Sequence, residues 1–506
     1  MEYFPWWTEE QKRFADEVRQ FVDEAMPRDE ESRWKREFPW DIFNRIGEQG
    51  YTGAMIPKEY GGLGLGVTGA CIAGEEFCRM PGVGRVFIGN MLGGLGQIMA
   101  YGTEEQKRRF LPRIAKGELG AICITEPFVG TDAAATETIA QRDGDKYILN
   151  GKKRFIVSAG VAVRHMLYAR TSDDPEDIRR HRHLTAFIVE KGLPGFTVER
   201  INEIIGFDNL QNGVLNLDEV QVPIENRIGE EGEGWRAMME GVNVERTLLS
   251  AQINGWLREI VRNVVPYTQR RVQFNQPTGE LLNNQLKIAD LFIKLKMARL
   301  ACYHSAHLFD LGQDVALASA AAKAFNCERA MEAAKDAIQL IGGDGVTTFY
   351  PLAAIFNVAK VEEISGGTME AMRLVVYRSG LREMAEDIKM PHRIIHKELG
   401  VPITTYTQPA KHSRFDEDML LRVLSEDYRI NPGLHMSRED LRAVFDVEDE
   451  ELDKILVSLE QKKLVKLYRG KRGIQLAKAT YEGLKKAQPL EYYSWFPSWV
   501  DKKRKF

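Results

Sequence analysis

Hydrophobic spacing changes twice along this chain, and that alternation restricts the possible folds more than any single residue does. From residue 9 to about 120 the apolar positions recur at helical intervals, for example Phe14, Val18, Phe21 and Val22, then Phe110, Leu111 and Ile114. From Ala121 to about Val222 short β-type runs take over (GAICIT, KYILNG, HLTAFIVE, FTVERI), cut by Gly, Asp, Asn and Pro turns. Asp143-Gly144-Asp145 and Asn150-Gly151 read as hairpin turns. After the Gly/Glu-rich connector 229–234, long helical runs return through about Met384, including an alanine-rich stretch from Val315 to Ala324. Strands bracketed by two helical blocks, without βαβ alternation, argue against a doubly wound nucleotide-binding sheet. The expected fold is α+β and multidomain: an N-terminal helical domain (1–120), a middle β domain (121–230) and a C-terminal helical bundle (235–388).

The chain's 506 residues exceed what one hydrophobic core usually serves. After Pro391 the polar, proline-punctuated stretch PITTYTQPAKHS reads as a linker (389–415), and a separate amphipathic pattern fills 416–506. A net charge of −4 gives no global pull toward nucleic acid or acidic lipid. Five scattered cysteines without a CxxC pair argue against a disulfide framework and against a zinc site, so no metal is expected. The start, MEYFPWWTEEQKRF, lacks signal-peptide features, and no window approaches the ~18 apolar residues of a spanning helix. A cytoplasmic protein is expected.

Seven motifs follow one another in order: AICITEPFVGTDAAA, NGKKRFIVSAG, VERTLLSA, YTQRRVQF, QLIGGDGV, YP and ISGGTMEAMR, with MIPKEYGGLG ahead of them. In order and spacing they resemble the acyl-CoA dehydrogenase family over residues 1 to about 385. The resemblance implies FAD held between domains and completed by a neighbouring subunit, in a homotetramer or homodimer. It also implies an acyl-CoA substrate and electron-transfer flavoprotein as the electron acceptor.

A flavin passing close to the main chain needs backbone donors, small residues and hydroxyls, and Thr125 to Asp132 offers them. The resemblance places Thr125 and Thr131 against flavin and ligand. It puts Arg271 and Phe274 on the FAD of the adjacent subunit, where an arginine would pair with pyrophosphate. Gln339, Gly342 and Gly343 match positions holding the pyrophosphate and adenosine part, and Thr368 and Glu370 match FAD contacts in the loop closing the site. Phe155 replaces a tryptophan common beside the flavin, keeping a ring but losing its N–H. Val157 stands where a threonine hydroxyl often reaches the flavin N5 region, with Ser158 beside it.

Forming a Cα–Cβ double bond in a thioester requires a base for the α proton while the β hydrogen leaves as hydride to the flavin. In short- and medium-chain type members the resemblance puts that carboxylate in the loop Ser365-Gly366-Gly367-Thr368, where this chain has Gly366. In isovaleryl and long-chain type members it comes from a helical Glu-Arg dipeptide matching Glu245-Arg246. Glu245 is therefore the expected base, its pKa raised by burial beside substrate, although a helical Glu by itself would read as an exposed, paired side chain. The Gly366 backbone N–H remains as an expected donor to the thioester oxygen. Asn243 lies where many relatives carry an aspartate near pantetheine, and Arg246 is the candidate for the CoA side. The RRHRH cluster (Arg179 to His183) reads as a solvated hairpin insertion in preference to a CoA-phosphate site.

Residues 416–487 read as three helices, a strand, a basic turn, a strand and a helix, similar to a winged helix-turn-helix with SREDLRAVF and DEEELDKILVSLEQKK as its helical pair. Lys462, Lys463, Lys466, Arg469, Lys471 and Arg472 would cluster near the wing, but the acidic preceding half disfavours nucleic acid. In the tail, Tyr493, Trp495, Phe496 and Trp499 precede Lys502 to Lys505; packing against protein is favoured over peripheral membrane contact. The alternatives to an acyl-CoA dehydrogenase are an oxidase of the same fold and a DNA-associated flavoprotein resembling the alkylation-response branch of the family.

Overall fold

The computed structural model describes residues 2–35, 37–384, 392–396, 401–405, 415–430, 433, 435–445, 447–470 and 473–493. The chain divides into two compact units, Met1–Glu383 and Met384–Phe506.

The first unit opens with six helices: α1 (Glu9–Lys35), α2 (Trp40–Glu48), α3 (Gly66–Phe77), α4 (Pro81–Leu92), α5 (Leu95–Tyr101) and α6 (Glu104–Ala115). Glu9 and Glu10 face the positive end of α1. Its apolar stripe meets Tyr51 and Phe77 edge-on, Phe21 lying 5.6 Å and 5.9 Å from the two rings. Thr103 and Gln106 cap α6 reciprocally, at 3.2 Å and 2.8 Å. Every residue of α3 from Val67 to Phe77 is buried, so this helix is enclosed on all sides.

The strands are β1 (Gly120–Cys123), β2 (Ile139–Asp143), β3 (Lys146–Ile156), β4 (Arg164–Arg170), β5 (Leu184–Glu190), β6 (Phe196–Ile204), β7 (Phe207–Pro223) and β8 (Arg227–Ile228). They form one sheet in the order β6-β7-β3-β2-β4-β5-β8, with β1 parallel to β4. A short helix, α7 (Pro175–Arg179), lies between β4 and β5. Asp143-Gly144-Asp145 makes the β2–β3 hairpin, with Gly144 at φ +63°. Asn150-Gly151 does not turn the chain; it lies inside β3. The β3–β7 register slips there between Leu149 and Gly151. Asn150 reaches across to β7 instead, donating to the Glu219 carboxylate at 2.6 Å and accepting its backbone N–H at 2.8 Å.

The long helix α8 (Gly234–Arg270) leads into a two-stranded hairpin, β9 (Val272–Gln273) and β10 (Gln276–Pro277), followed by α9 (Leu282–Asp310), α10 (Ala316–Ile341), α11 (Leu352–Glu362) and α12 (Met369–Glu383). Buried alanines of α10 (Ala330, Ala333, Ala334, Ala337) share a core with Trp256, Leu257, Ile260 and Val264 of α8. Farther back along α8, Leu248, Leu249 and Ala251 join the core that contains the α3 to α5 side chains and Tyr168 of the sheet. The first half of α8 thus runs where helical and β layers meet.

In the second unit, β11 (His392–His396) pairs antiparallel with β12 (Val401–Thr405) inside the segment read as a linker. Then come α13 (Glu417–Ile430), β13 (Met436–Ser437), α14 (Arg438–Phe445), α15 (Asp449–Gln461), β14 (Val465–Gly470), β15 (Gly473–Ala479) and α16 (Tyr481–Ala487). The sheet order is β13-β15-β14, and the succession of helices and strands is the one expected from the sequence, with β13 added. This unit has its own core, including Leu420, Leu424, Leu441, Leu452, Leu456, Val465 and Ala477. Tyr493 is buried in it and donates to the Leu484 carbonyl at 3.1 Å. Lys471, Arg472, Trp495, Phe496, Trp499 and Lys502 to Lys505 lie outside the described residues.

Candidate active site

Glu245 lies on the inward half of α8 and is only 7% exposed. Its nearest unusual neighbour is Gly366, at φ +63° in the turn between α11 and α12. A Cβ placed on Gly366 would sit 3.5 Å from a Glu245 carboxylate oxygen and 2.6 Å from Leu249. The carboxylate of the helix and the backbone of the loop therefore share one small space, and a side chain at 366 would have to displace Leu249.

The loop itself is pinned. Ser365 donates its hydroxyl to the buried Glu362 carboxylate, and the buried Lys323 ammonium donates to the Gly367 carbonyl at 2.6 Å. The Thr368 hydroxyl caps α12, accepting the Ala371 N–H at 3.3 Å, while Glu370 is exposed in its first turn. Glu362 Oε1 also pairs ionically with Arg85 Nε at 3.1 Å and accepts from Gln252 Nε2 at 2.9 Å.

Burial pushes the Glu245 carboxyl above its ordinary pKa, and the Glu362 charge adds to this; Arg85, Arg246 and Lys323 oppose it. Arg246, one residue on, is 9% exposed, and burial lowers its pKa. Its Nη1 donates to the half-buried Asn243 at 2.9 Å, so these two residues hold each other.

Thr125 follows β1, and its carbonyl accepts the Arg154 N–H at 2.7 Å. The next residue, Glu126, forms a buried pair with Lys153 at 2.7 Å and accepts the N–H groups of Glu137 and Thr138, which fixes the Thr125–Asp132 segment against β3. Thr131 is exposed. Phe155 stands at φ +59°, half out in solvent, with the Arg154 guanidinium 4.4 Å above its ring. Val157 packs toward Gly89. Ser158, at φ +64°, is fully buried, yet its hydroxyl finds no partner in the chain. Two non-glycine residues held at positive φ around a projecting ring and an unsatisfied hydroxyl are what an aromatic, hydrogen-bonding cofactor would need.

Arg271 and Phe274 lie elsewhere on the chain. Phe274 and Asn275, at φ +52° and +62°, form the two-residue turn of the β9–β10 hairpin, and Phe274 is 85% exposed. Arg271 lines a groove with Arg262, Tyr267, Arg270, Asp344 and Tyr350. Gln339, Gly342 and Gly343 end α10 close by in sequence to Asp344; no atom lies within 4 Å of where a Cβ on either glycine would be. Among the described residues no hydrogen bond, ion pair or ring contact joins this group to Thr125, Phe155 or Ser158. By these contacts the sequence-predicted residues fall into three groups: those around Thr125 and Phe155, those around Glu245 and Gly366, and those around Arg271 and Gly342.

The cluster Arg179 to His183 is engaged locally: Arg179 and Arg180 pair with Glu176, and His181 stacks on Trp235 at 4.7 Å. Arg85, Gln252, Lys323 and Glu362 escaped the sequence reading. Their signal was weak: each is one charged or polar residue on a helix, with nothing in its spacing to set it apart from solvated positions. Among the described residues no group of three or more His, Cys, Asp or Glu side chains could hold a metal ion, and no helix is long and apolar enough to cross a membrane.

Three family models match in chain order: the acyl-CoA dehydrogenase N-terminal domain over residues 8–118, the middle domain over 121–220 and the C-terminal domain over 232–381. The chain belongs to the acyl-CoA dehydrogenase family. An acyl-CoA dehydrogenase of Bacillus subtilis is 35% identical over 373 residues, 73% of this chain and 97% of the relative. Butyryl-CoA dehydrogenase from Megasphaera elsdenii superposes with a TM-score of 0.72 at 31% identity, covering 76% of this chain and all of that one. A structure from work on the electron transferring flavoprotein of Acidaminococcus fermentans matches with the same TM-score at 35% identity, over 76% of this chain and all of that one. This dehydrogenase is an FAD-dependent oxidoreductase, and the projecting Phe155 ring, the unsatisfied Ser158 hydroxyl and the open backbone at Gly342 and Gly343 fit that cofactor. The family models end at 381, before the second unit begins.

Proposed function

We propose that the enzyme dehydrogenates an acyl-CoA thioester between Cα and Cβ, with Glu245 as the base. The observation that carries this reading is the buried Glu245 carboxylate lying against the backbone of Gly366. In that position one carboxylate faces one reacting carbon, and no second carboxylate occupies the loop to compete for the proton. Glu245 takes the α proton; its burial raises its affinity for that proton, and Arg85, Lys323 and Arg246 keep the ionised form accessible. The Gly366 N–H has no acceptor among the described residues and is free to receive the thioester oxygen as charge develops there. Bound FAD supplies the hydride acceptor for the β hydrogen.

On this reading Thr125, Thr131, Phe155, Val157 and Ser158 line the flavin, Thr368 and Glu370 close over it, and Arg246 with Asn243 lies toward CoA. Arg271, Phe274, Gln339, Gly342 and Gly343 hold FAD across a subunit boundary in a homotetramer or homodimer. The exposed Phe274 at the tip of a hairpin, separate from the Phe155 group, supports this arrangement. Electrons pass to an electron-transfer flavoprotein, a partner suggested by the structural likeness to the Acidaminococcus protein. The nucleic-acid alternative is weakened because Lys462 and Arg469 are spent on Glu417 and Glu460.

The test is anaerobic titration of the FAD-loaded enzyme with a panel of acyl-CoAs, followed by flavin bleaching. One class of thioester should bleach the wild type, and Glu245→Gln should slow that reduction by about 100-fold or more while retaining FAD. Equal rates in both proteins would remove Glu245 from the role of base.

A further inference from the structure

A buried ion pair beside a site for an acyl chain needs a reason, since apolar residues of equal volume would usually serve stability as well or better. Arg85 projects from α4, is 5% exposed, and pairs its Nε with Glu362; its Nη1 is buried with no acceptor. Gln252, on α8 two turns beyond Glu245, is fully buried and gives its Nε2 to the same oxygen of Glu362. That bond fixes the amide's orientation, because the opposite one would turn its oxygen toward the carboxylate. Gln252 Oε1 is then left buried and unsatisfied.

Two groups gripping one oxygen of Glu362 thus each hold out an unused partner: a donor on Arg85 and an acceptor on Gln252. Glu362 in turn holds Ser365, the residue before Gly366, so the set borders the space that Glu245 faces. From this geometry we propose that the acyl group of the substrate carries a hydroxyl beyond its β carbon, accepting from Arg85 Nη1 and donating to Gln252 Oε1. A neutral hydroxyl is favoured over a carboxylate by charge: the guanidinium of Arg85 is already matched by Glu362. A carboxylate has no proton to give, so it would also set its oxygen against the unsatisfied Gln252 Oε1, acceptor facing acceptor.

This inference rests on the acyl-CoA reading above and deepens it. Its test compares reduction of the enzyme's flavin by hexanoyl-CoA, by hexanoyl-CoAs hydroxylated on the fourth, fifth or sixth carbon, and by adipoyl-CoA. The wild type should favour one hydroxylated thioester over hexanoyl-CoA by about tenfold or more in kcat/KM, because a site built for a hydroxyl rejects the analogue that leaves its polar groups unpaired. Removing both charges together (Arg85→Met with Glu362→Gln) should erase that preference. If the double variant does not fold, Gln252→Met, which introduces no unpaired buried charge, should still reduce the ratio severalfold. Preference for hexanoyl-CoA or for adipoyl-CoA, or a ratio unchanged in the variants, would overturn the hydroxyl assignment while leaving acyl-CoA dehydrogenation standing. Failure of every thioester, including shorter and longer ones, to reduce the flavin would overturn both.

Discussion

A methyl group at position 366 would meet Leu249 Cδ1 at 2.6 Å, and the φ of +63° there already disfavours any L side chain. Gly366→Ala should therefore destabilise the protein by about 1–3 kcal/mol, measured by denaturant unfolding of the first unit. Wild-type stability in that variant would mean that Leu249 yields freely and that the space is not closed. Glu245 supplies a second test at this scale. Its folded pKa is raised, chiefly by burial, so its contribution to stability is whole below the ordinary value of 4.5 and is lost as pH rises through the folded pKa. Glu245→Gln, neutral at every pH, should thus melt above the wild type near pH 8 by an amount that shrinks to nothing at about pH 4. A melting difference independent of pH would show that the carboxylate is solvated. The pairing of Glu245 with Gly366 was legible in the sequence through the Glu-Arg dipeptide and the glycine that stands in the loop. Arg85 and Glu362 were not, because neither says anything until the fold brings α4 and α11 together.

At the scale of elements, α3 is held by charge as well as by its apolar surface. Glu75, fully buried, accepts from Arg299 of α9 at 3.0 Å, from Arg258 of α8 at 3.2 Å and from the Tyr303 hydroxyl at 2.9 Å. One turn along, Arg79 joins Glu76 at 3.0 Å and Glu259 of α8 at 2.9 Å. Glu75→Gln leaves the buried Arg299 guanidinium without its carboxylate, while Arg258 keeps Glu76 at 2.7 Å, and should cost about 3–5 kcal/mol in denaturant unfolding. A loss below about 1 kcal/mol would indicate that water or Glu76 takes over. Helices and strands were legible because their apolar spacing is local. The Asn150-Gly151 dipeptide was misread because its conformation is decided by Glu219 on β7, far away in sequence. The two-residue β13 was missed because so short a strand has no period of its own.

For the molecule as a whole, the two units have separate cores, and the residues proposed to hold FAD and the thioester all lie in the first. A protein ending at residue 383 should therefore still fold yellow with FAD and be bleached by the same acyl-CoA at a rate within about threefold of the full chain. Full-length enzyme should show two unfolding transitions by calorimetry, of which the truncated one retains a single one. Loss of flavin on truncation would make the second unit part of the cofactor site.

The tight fit between Glu245 and Gly366 also bears on how such a site can change over generations. A line of descent that began with its acid in the loop could reach the present arrangement only through an intermediate carrying both carboxylates in one small space or neither. The first would hold two like charges in contact, of which one must stay protonated; the second would have no base at all. Single substitutions at these two positions are thus each disfavoured. The placement of the acid should be inherited over long stretches of ancestry, even while the acyl groups accepted by the site diverge around it.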